Sequence, residues 1–253
     1  MSQKTKQELF ASLPATVAPR LEELERALVG ALGSELVAII VFGAAVRGDY
    51  RPGHTDIELL IVLKSAVPDK LAPLANPLAM ARFAIRVEAM ILTLAEIPRA
   101  ADVYPLLYDS IRQSHTLLYG TDPLAELVIS DRHRRLRIEQ ELREAQIRLR
   151  RVVTDCLGQP DALVSPLSRK LRQIRAPLHA LLSLRKVTCS ERLNDVLAAA
   201  GKVYSIDIAP LTKIKEKPSD ALTTLAQLLD AAVHDVDQMP EESGGEGTRE
   251  ASK

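Results

Sequence analysis

Tryptophan is absent, aromatic residues make up only 3% of the chain, and there are two cysteines in 253 residues. With so few rings, a core has to be assembled from Leu, Ile, Val and Ala, which suits helix packing; a hydrophobic content of 47% is enough to build one. Cys156 and Cys189 are too few and too far apart for a disulfide framework or a zinc pattern, so they read as reduced thiols. Charge of one sign is also missing: Lys+Arg and Asp+Glu both total 33, and nothing global calls for a polyanionic partner. Long hydrophobic runs are missing too. Leu36–Phe42 and Leu59–Leu63 are too short to cross a bilayer, and Met1 to Phe10 is polar where a signal peptide would be apolar. The expectation is a cytoplasmic protein with no membrane partner.

Periodicity divides the chain. Val17, Leu21, Leu24, Leu28 and Ala31 form one helical face ending near Gly33. Leu36–Phe42 is a continuous, β-branched apolar run that predicts a buried strand, and Asp56–Leu63 predicts a second. Residues 69–83 look helical despite Pro73 and Pro77. Arg86–Thr93 is a third strand candidate, and residues 106–120 are mixed and end at Gly120.

Beyond that point the pattern is helical throughout. Ile138, Leu142, Ala145, Leu149, Val152 and Cys156 make one stripe. Leu167, Leu171, Ile174, Leu178 and Leu181 make another, opened by Ser165-Pro166 and kinked at Pro177. Thr188 and Glu191 fit a capping box for a third helix. Leu222, Leu225, Leu229, Val233 and Val236 make the last. The expected organisation is α+β: a small mixed sheet with flanking helices over 1–127, an all-α bundle over 128–239, and a disordered tail over 240–253.

The chemistry concentrates in Val41–Leu63, VFGAAVRGDYRPGHTDIELLIVL. A buried strand ends at Phe42 and Gly43 allows a tight exit from it. Ala44–Arg47 can begin a helix whose unbonded N–H groups suit an anion, with Arg47 adding positive charge. In the next strand Asp56 and Glu58 are two apart, so they share a face roughly 6.5–7 Å apart. Two carboxylates so spaced suit a pair of hard cations. The plainer reading of Asp-x-Glu, two solvated carboxylates on an edge strand, leaves the upstream Gly43 unexplained.

Phe42-Gly43-Ala44 followed by Asp56-Ile57-Glu58 resembles the signature of the DNA polymerase β-like nucleotidyltransferases, the group that includes kanamycin nucleotidyltransferase and the minimal nucleotidyltransferases. Arg47-Gly48-Asp49 and Thr55 also look like that family, and Leu118-Tyr119-Gly120-Thr121-Asp122-Pro123 resembles the segment that closes its catalytic domain. A helical domain behind the catalytic one is usual there. The resemblance implies Mg²⁺-dependent, two-metal transfer of a nucleoside monophosphate from a nucleoside triphosphate to a hydroxyl acceptor. It gives Asp56 and Glu58 the metal and Gly43, Ala44 and Arg47 the nucleotide; for the third catalytic carboxylate the best candidate is Glu88, on the third strand, with Glu96 and Asp102, beyond the expected strand end, as poorer choices. The sequence departs from the pattern at Ala44, where the family usually has a serine hydroxyl. That departure keeps open an alternative, a catalytically degenerate nucleotide-binding module or the nucleotidyltransferase component of a toxin–antitoxin pair.

Eight arginines fall within residues 132–151: Arg132, Arg134, Arg135, Arg137, Arg143, Arg148, Arg150 and Arg151. Glu139, Glu141 and Glu144 are interleaved at helical spacing, and no aromatics accompany them to stack bases. A solvated, ion-paired helix face is therefore expected rather than a nucleic-acid groove. His54 reads as a turn residue beside the carboxylates, and the other histidines have no ligand spacing. The helix stripes read as core, with a homodimer or a partner protein at the helical domain left open.

Overall fold

The computed structural model describes residues 4–156 and 159–240. The chain divides into two compact units, Met1–Ile129 and Ser130–Lys253. The expected tail, apart from Pro240, lies outside the described residues. Among the described residues no helix is long and apolar enough to cross a membrane.

The first unit contains α1 (Lys6–Ser12), α2 (Ala18–Leu32), β1 (Leu36–Phe42), α3 (Ala44–Arg47), β2 (Ile57–Leu63), α4 (Pro68–Leu71), α5 (Ala75–Ile85), β3 (Val87–Thr93), α6 (Ile97–Val103), α7 (Pro105–Gln113) and β4 (His115–Gly120). The strands form one mixed sheet in the order β3-β2-β1-β4. β1 is antiparallel to both β2 and β4, and β2 is parallel to β3. The parallel pair needs a crossover, which α4 and α5 supply.

Both faces of the sheet are covered, so β1 and β2 read as unbroken apolar runs rather than as alternating patterns. Ile39, Val41, Ile57, Leu59, Ile61 and Val87 pack with Leu21, Leu24 and Leu28 of α2 and with Ala81 and Ile85 of α5. On the other face, Ala38, Ile40, Leu60 and Val62 pack with Ile97 and Ala101 of α6 and with Tyr108 and Ile111 of α7. Gly120 closes β4 at φ +85, where a Cβ would lie 1.9 Å from the Val37 carbonyl oxygen. Only glycine fits there, which gives the Leu118–Pro123 segment its physical meaning. Asp122 completes the closure by accepting from the Leu124 N–H at 2.9 Å and contacting the buried His115 ring at 3.2 Å.

The second unit contains α8 (Asp131–Asp155), α9 (Val164–Leu184), α10 (Leu193–Tyr204), α11 (Ala209–Thr212) and α12 (Pro218–Asp237). The expected stripes are its core: Ile138, Leu142, Leu149, Leu167, Leu171, Leu178, Leu225 and Leu229 are all buried. The arginines of α8 are paired mainly along their own helix. Arg137 meets Glu141 at 2.7 Å, Arg143 meets Glu139 at 2.9 Å, and Arg148 meets Glu144.

Several local expectations change. A first helix not singled out from sequence, α1, is opened by a reciprocal capping box between Thr5 and Glu8. The helix expected over 69–83 is broken into α4, a 3-10 turn at Ala72–Leu74 and α5, as Pro73 and Pro77 require. The mixed stretch 106–120 resolves into α7 and β4. α9 starts at Val164, one residue before Ser165, behind a 3-10 turn at Pro160–Leu163. The capping box at Thr188 and Glu191 does not form: Glu191 is taken by Arg175 at 3.2 Å, and α10 begins later, at Leu193.

Candidate active site

The signature segment lies at the end of the sheet where β1 stops and β2 and β3 begin. Chain direction explains the convergence. β1 leaves the sheet at Phe42, antiparallel β2 enters opposite it, and parallel β3 enters beside β2 at the same end. Phe42 is registered with Glu58, and Glu58 with Glu88. Registered residues share a face, and adjacent strands lie about 4.8 Å apart, so Glu58 and Glu88 stand side by side. Asp56 falls just outside β2, which starts at Ile57 rather than at the expected residue 56.

Gly43 sets the distance between the two halves of the signature. Its φ is +73, and a Cβ there would lie 1.6 Å from Glu58 Oε2. The backbone leaving β1 therefore passes directly against the Glu58 carboxylate, an approach that a Cβ would block unless the carboxylate moved. Ala44 opens α3, whose first N–H groups have no carbonyl behind them in their own helix. Arg47 ends α3 and lies 4.0 Å from Asp49, with Gly48 as a left-handed cap. Thr55 fixes the return: its hydroxyl accepts from the Arg51 N–H at 2.8 Å and donates to the Arg51 carbonyl at 3.1 Å. His54 is an exposed turn residue whose N–H donates to the same carbonyl.

Two further residues belong to this end of the sheet and were not singled out from sequence. Arg86, at φ +55 between α5 and β3, donates to Asp56 Oδ1 through Nε and Nη2, both at 2.8 Å. Arg82, one turn earlier on α5, lies 3.5 Å from Glu88. Two arginines four apart, one in the last turn of α5 and one just before the Glu88 strand, were the available signal. Among the described residues, nothing hydrogen-bonds or ion-pairs with the Glu58 carboxylate. Burial pushes the Tyr50 phenol above its ordinary value, with Arg86 and Asp56 acting on it in opposite directions.

The residues fit Mg²⁺ as a partial donor set. Among the described residues no three His, Cys, Asp or Glu side chains form a ready cage, because Asp56 and Glu88 are turned towards arginines. Mg²⁺ is commonly held by one or two carboxylates together with substrate phosphates and water, however, and hard carboxylate oxygens are what this end of the sheet offers.

A four-stranded mixed sheet with flanking helices, followed by a helical unit, makes this a nucleotidyltransferase fold. The chain is similar in structure to a spectinomycin adenyltransferase from Enterococcus faecialis, solved with ATP and spectinomycin. The TM-score is 0.50 at 11% identity, over 87% of this chain and 99% of that one. A nucleotidyltransferase-like protein from Exiguobacterium sibiricum 255-15 gives a TM-score of 0.31 at 13% identity, over 86% of this chain and 74% of that one. No protein-family model matches the sequence, and no curated protein matches it. At such identities the likeness is one of fold.

Proposed function

We propose that the chain transfers a nucleoside monophosphate from a nucleoside triphosphate to a hydroxyl acceptor. The observation that carries this reading is the passage of Gly43 against the Glu58 carboxylate, with Glu88 in register beside it. It brings a close-approach backbone and a row of carboxylates to one end of the sheet. In this reading the backbone at Gly43 and Ala44 and the Arg47 guanidinium hold the β- and γ-phosphates, which places the α-phosphate towards Glu58. Asp56 and Glu58 are the residues that would hold Mg²⁺; when bound, it supplies charge neutralisation at the α-phosphate and the leaving pyrophosphate. Glu88 orients the acceptor hydroxyl and takes its proton as the new P–O bond forms and the bond to pyrophosphate breaks. Arg86 and Arg82 hold Asp56 and Glu88 until substrate arrives.

A second reading is favoured by one group of observations. Asp56 and Glu88 are engaged by arginines, and Ala44 has no hydroxyl for the triphosphate. These suit a module that binds nucleotide without turning it over. Titration calorimetry with the four nucleoside triphosphates, with and without Mg²⁺, on wild type and Asp56→Asn tests both. The ATP bound to the Enterococcus faecialis adenyltransferase makes ATP the first to try. Binding that requires Mg²⁺ and Asp56, followed by pyrophosphate release with a hydroxyl acceptor, is the expected result. Binding without release across an acceptor panel supports the second reading, and no binding at all removes both.

A further inference from the structure

Arg86 meets the start of β2 twice. Its carbonyl accepts from the Ile57 N–H at 3.0 Å, and its side chain donates to Asp56, the residue before Ile57, through Nε and Nη2, both at 2.8 Å. Its own N–H closes α5 on the Arg82 carbonyl at 3.0 Å. The backbone is therefore pinned on both sides, in a left-handed conformation at φ +55 that residues other than glycine rarely adopt. Glycine is the usual residue in this place at the end of a helix. An arginine there accepts the strain and sets a cation beside the carboxylates. The pair it makes is open to water, with side chains 52% and 39% exposed. Exposed pairs of this kind contribute little to stability, so a competing ion can take either partner.

We propose that Arg86 exchanges partners during binding: it holds Asp56 in the free protein and passes to a phosphate oxygen of the triphosphate when Asp56 turns to the metal. The proposal rests on the transfer reading above and adds to it that metal and nucleotide binding are coupled through this one arginine. Both Arg86 nitrogens converge on Asp56 Oδ1. A divalent cation taken by the same oxygen would sit against the guanidinium and repel it. Metal alone therefore displaces Arg86 and leaves it without an anion. Triphosphate arriving with the metal supplies one, in the planar oxygen geometry that a guanidinium matches. Because the Arg86 backbone is tied to Ile57, the displaced head stays within a side chain's length of the carboxylate it has left. Each ligand then favours the other, which is what coupling of two sites means.

Two titrations of the full chain test this, with Mn²⁺ in place of Mg²⁺. Free Mn²⁺ is counted by electron paramagnetic resonance without nucleotide, and binding of an ATP analogue with a carbon bridge between its α- and β-phosphorus atoms is followed by calorimetry at saturating Mn²⁺. Arg86→Gly removes the side chain and suits φ +55, so it keeps the fold; Arg86→Gln removes the charge and serves as the second variant. Both variants are expected to bind Mn²⁺ alone at least about threefold tighter than the wild type, because the competitor for Asp56 is gone. Both are expected to bind the analogue at least about tenfold more weakly, because the phosphate has lost its guanidinium. Opposite signs in the two titrations are the signature of exchange, since a merely structural arginine moves both the same way or neither. Variants that bind Mn²⁺ alone no tighter, or the analogue no more weakly, overturn the exchange and leave the transfer reading standing. A wild type that shows no Mn²⁺-dependent binding of the analogue overturns the transfer reading and the exchange with it.

Discussion

The two faces of the sheet differ most at the end where β1 stops. Towards α2 and α5, Ile57, Leu59 and Val87 are sealed to the very ends of their strands. On the other face the same strand ends carry Glu58 and Glu88, and full burial resumes one alternation further along β2, at Leu60 and Val62. One face therefore holds the strands in place, and the other leaves their carboxylates open. Neighbouring residues of β2 serve opposite purposes because a strand alternates.

The sharpest test sets Leu59→Ala against Glu58→Gln. Leu59 is fully buried, so its truncation should cost about 2–5 kcal/mol of unfolding free energy in urea melts. Glu58→Gln, one residue away, should change stability by no more than about 0.5 kcal/mol while removing Mg²⁺-dependent triphosphate binding. A large destabilisation by Glu58→Gln would make the carboxylate part of the structure and erase the contrast between the faces.

A second test concerns where burial resumes on the carboxylate face. Tyr108 is 1% exposed beneath it, and burial, with a smaller effect from Glu96, pushes its phenol up to about 12 from an ordinary 10. The neutral form is therefore favoured in the fold, and the stabilisation is complete below pH 10. It is lost as pH rises from 10 towards 12, because the unfolded chain ionises first. Tyr108→Phe removes that ionisation, so its alkaline unfolding midpoint should lie at higher pH than that of the wild type. An unchanged midpoint would mean that the ring is wetter than its packing indicates.

A smaller effect on stability than at Leu59 is expected at the junction. Gly43→Ala should cost about 1–2 kcal/mol for the positive φ, since the atom its Cβ meets is the far end of a side chain that can swing aside. Triphosphate binding should nevertheless fall at least about a hundredfold, because the displaced group is the Glu58 carboxylate. Retained binding would separate Gly43 from the site.

Much of this was legible in the sequence, for definable reasons. Leu36–Phe42 and Leu59–Leu63 show as strands because both faces are covered and their apolar runs are unbroken. Glu58 and Glu88 share a face by alternation once their strands are placed. The partner of Asp56 was hidden, because the Arg86 contact depends on the parallel register of β2 and β3, which no local pattern encodes. β4 was hidden because HTLLYG is short, and its pairing with β1 is long-range. Thr188 and Glu191 misled because a tertiary ion pair to Arg175 outweighed a local cap.

The order in which the strands occur along the chain also bears on assembly. Phe42 meets Glu58 across sixteen positions and Glu58 meets Glu88 across thirty, whereas Phe42 meets His115 across seventy-three. Short separations close sooner than long ones, and a nascent chain presents its segments in order. During synthesis the Gly43–Glu58 junction can therefore form before β4, the strand that seals the other edge of β1, has left the ribosome.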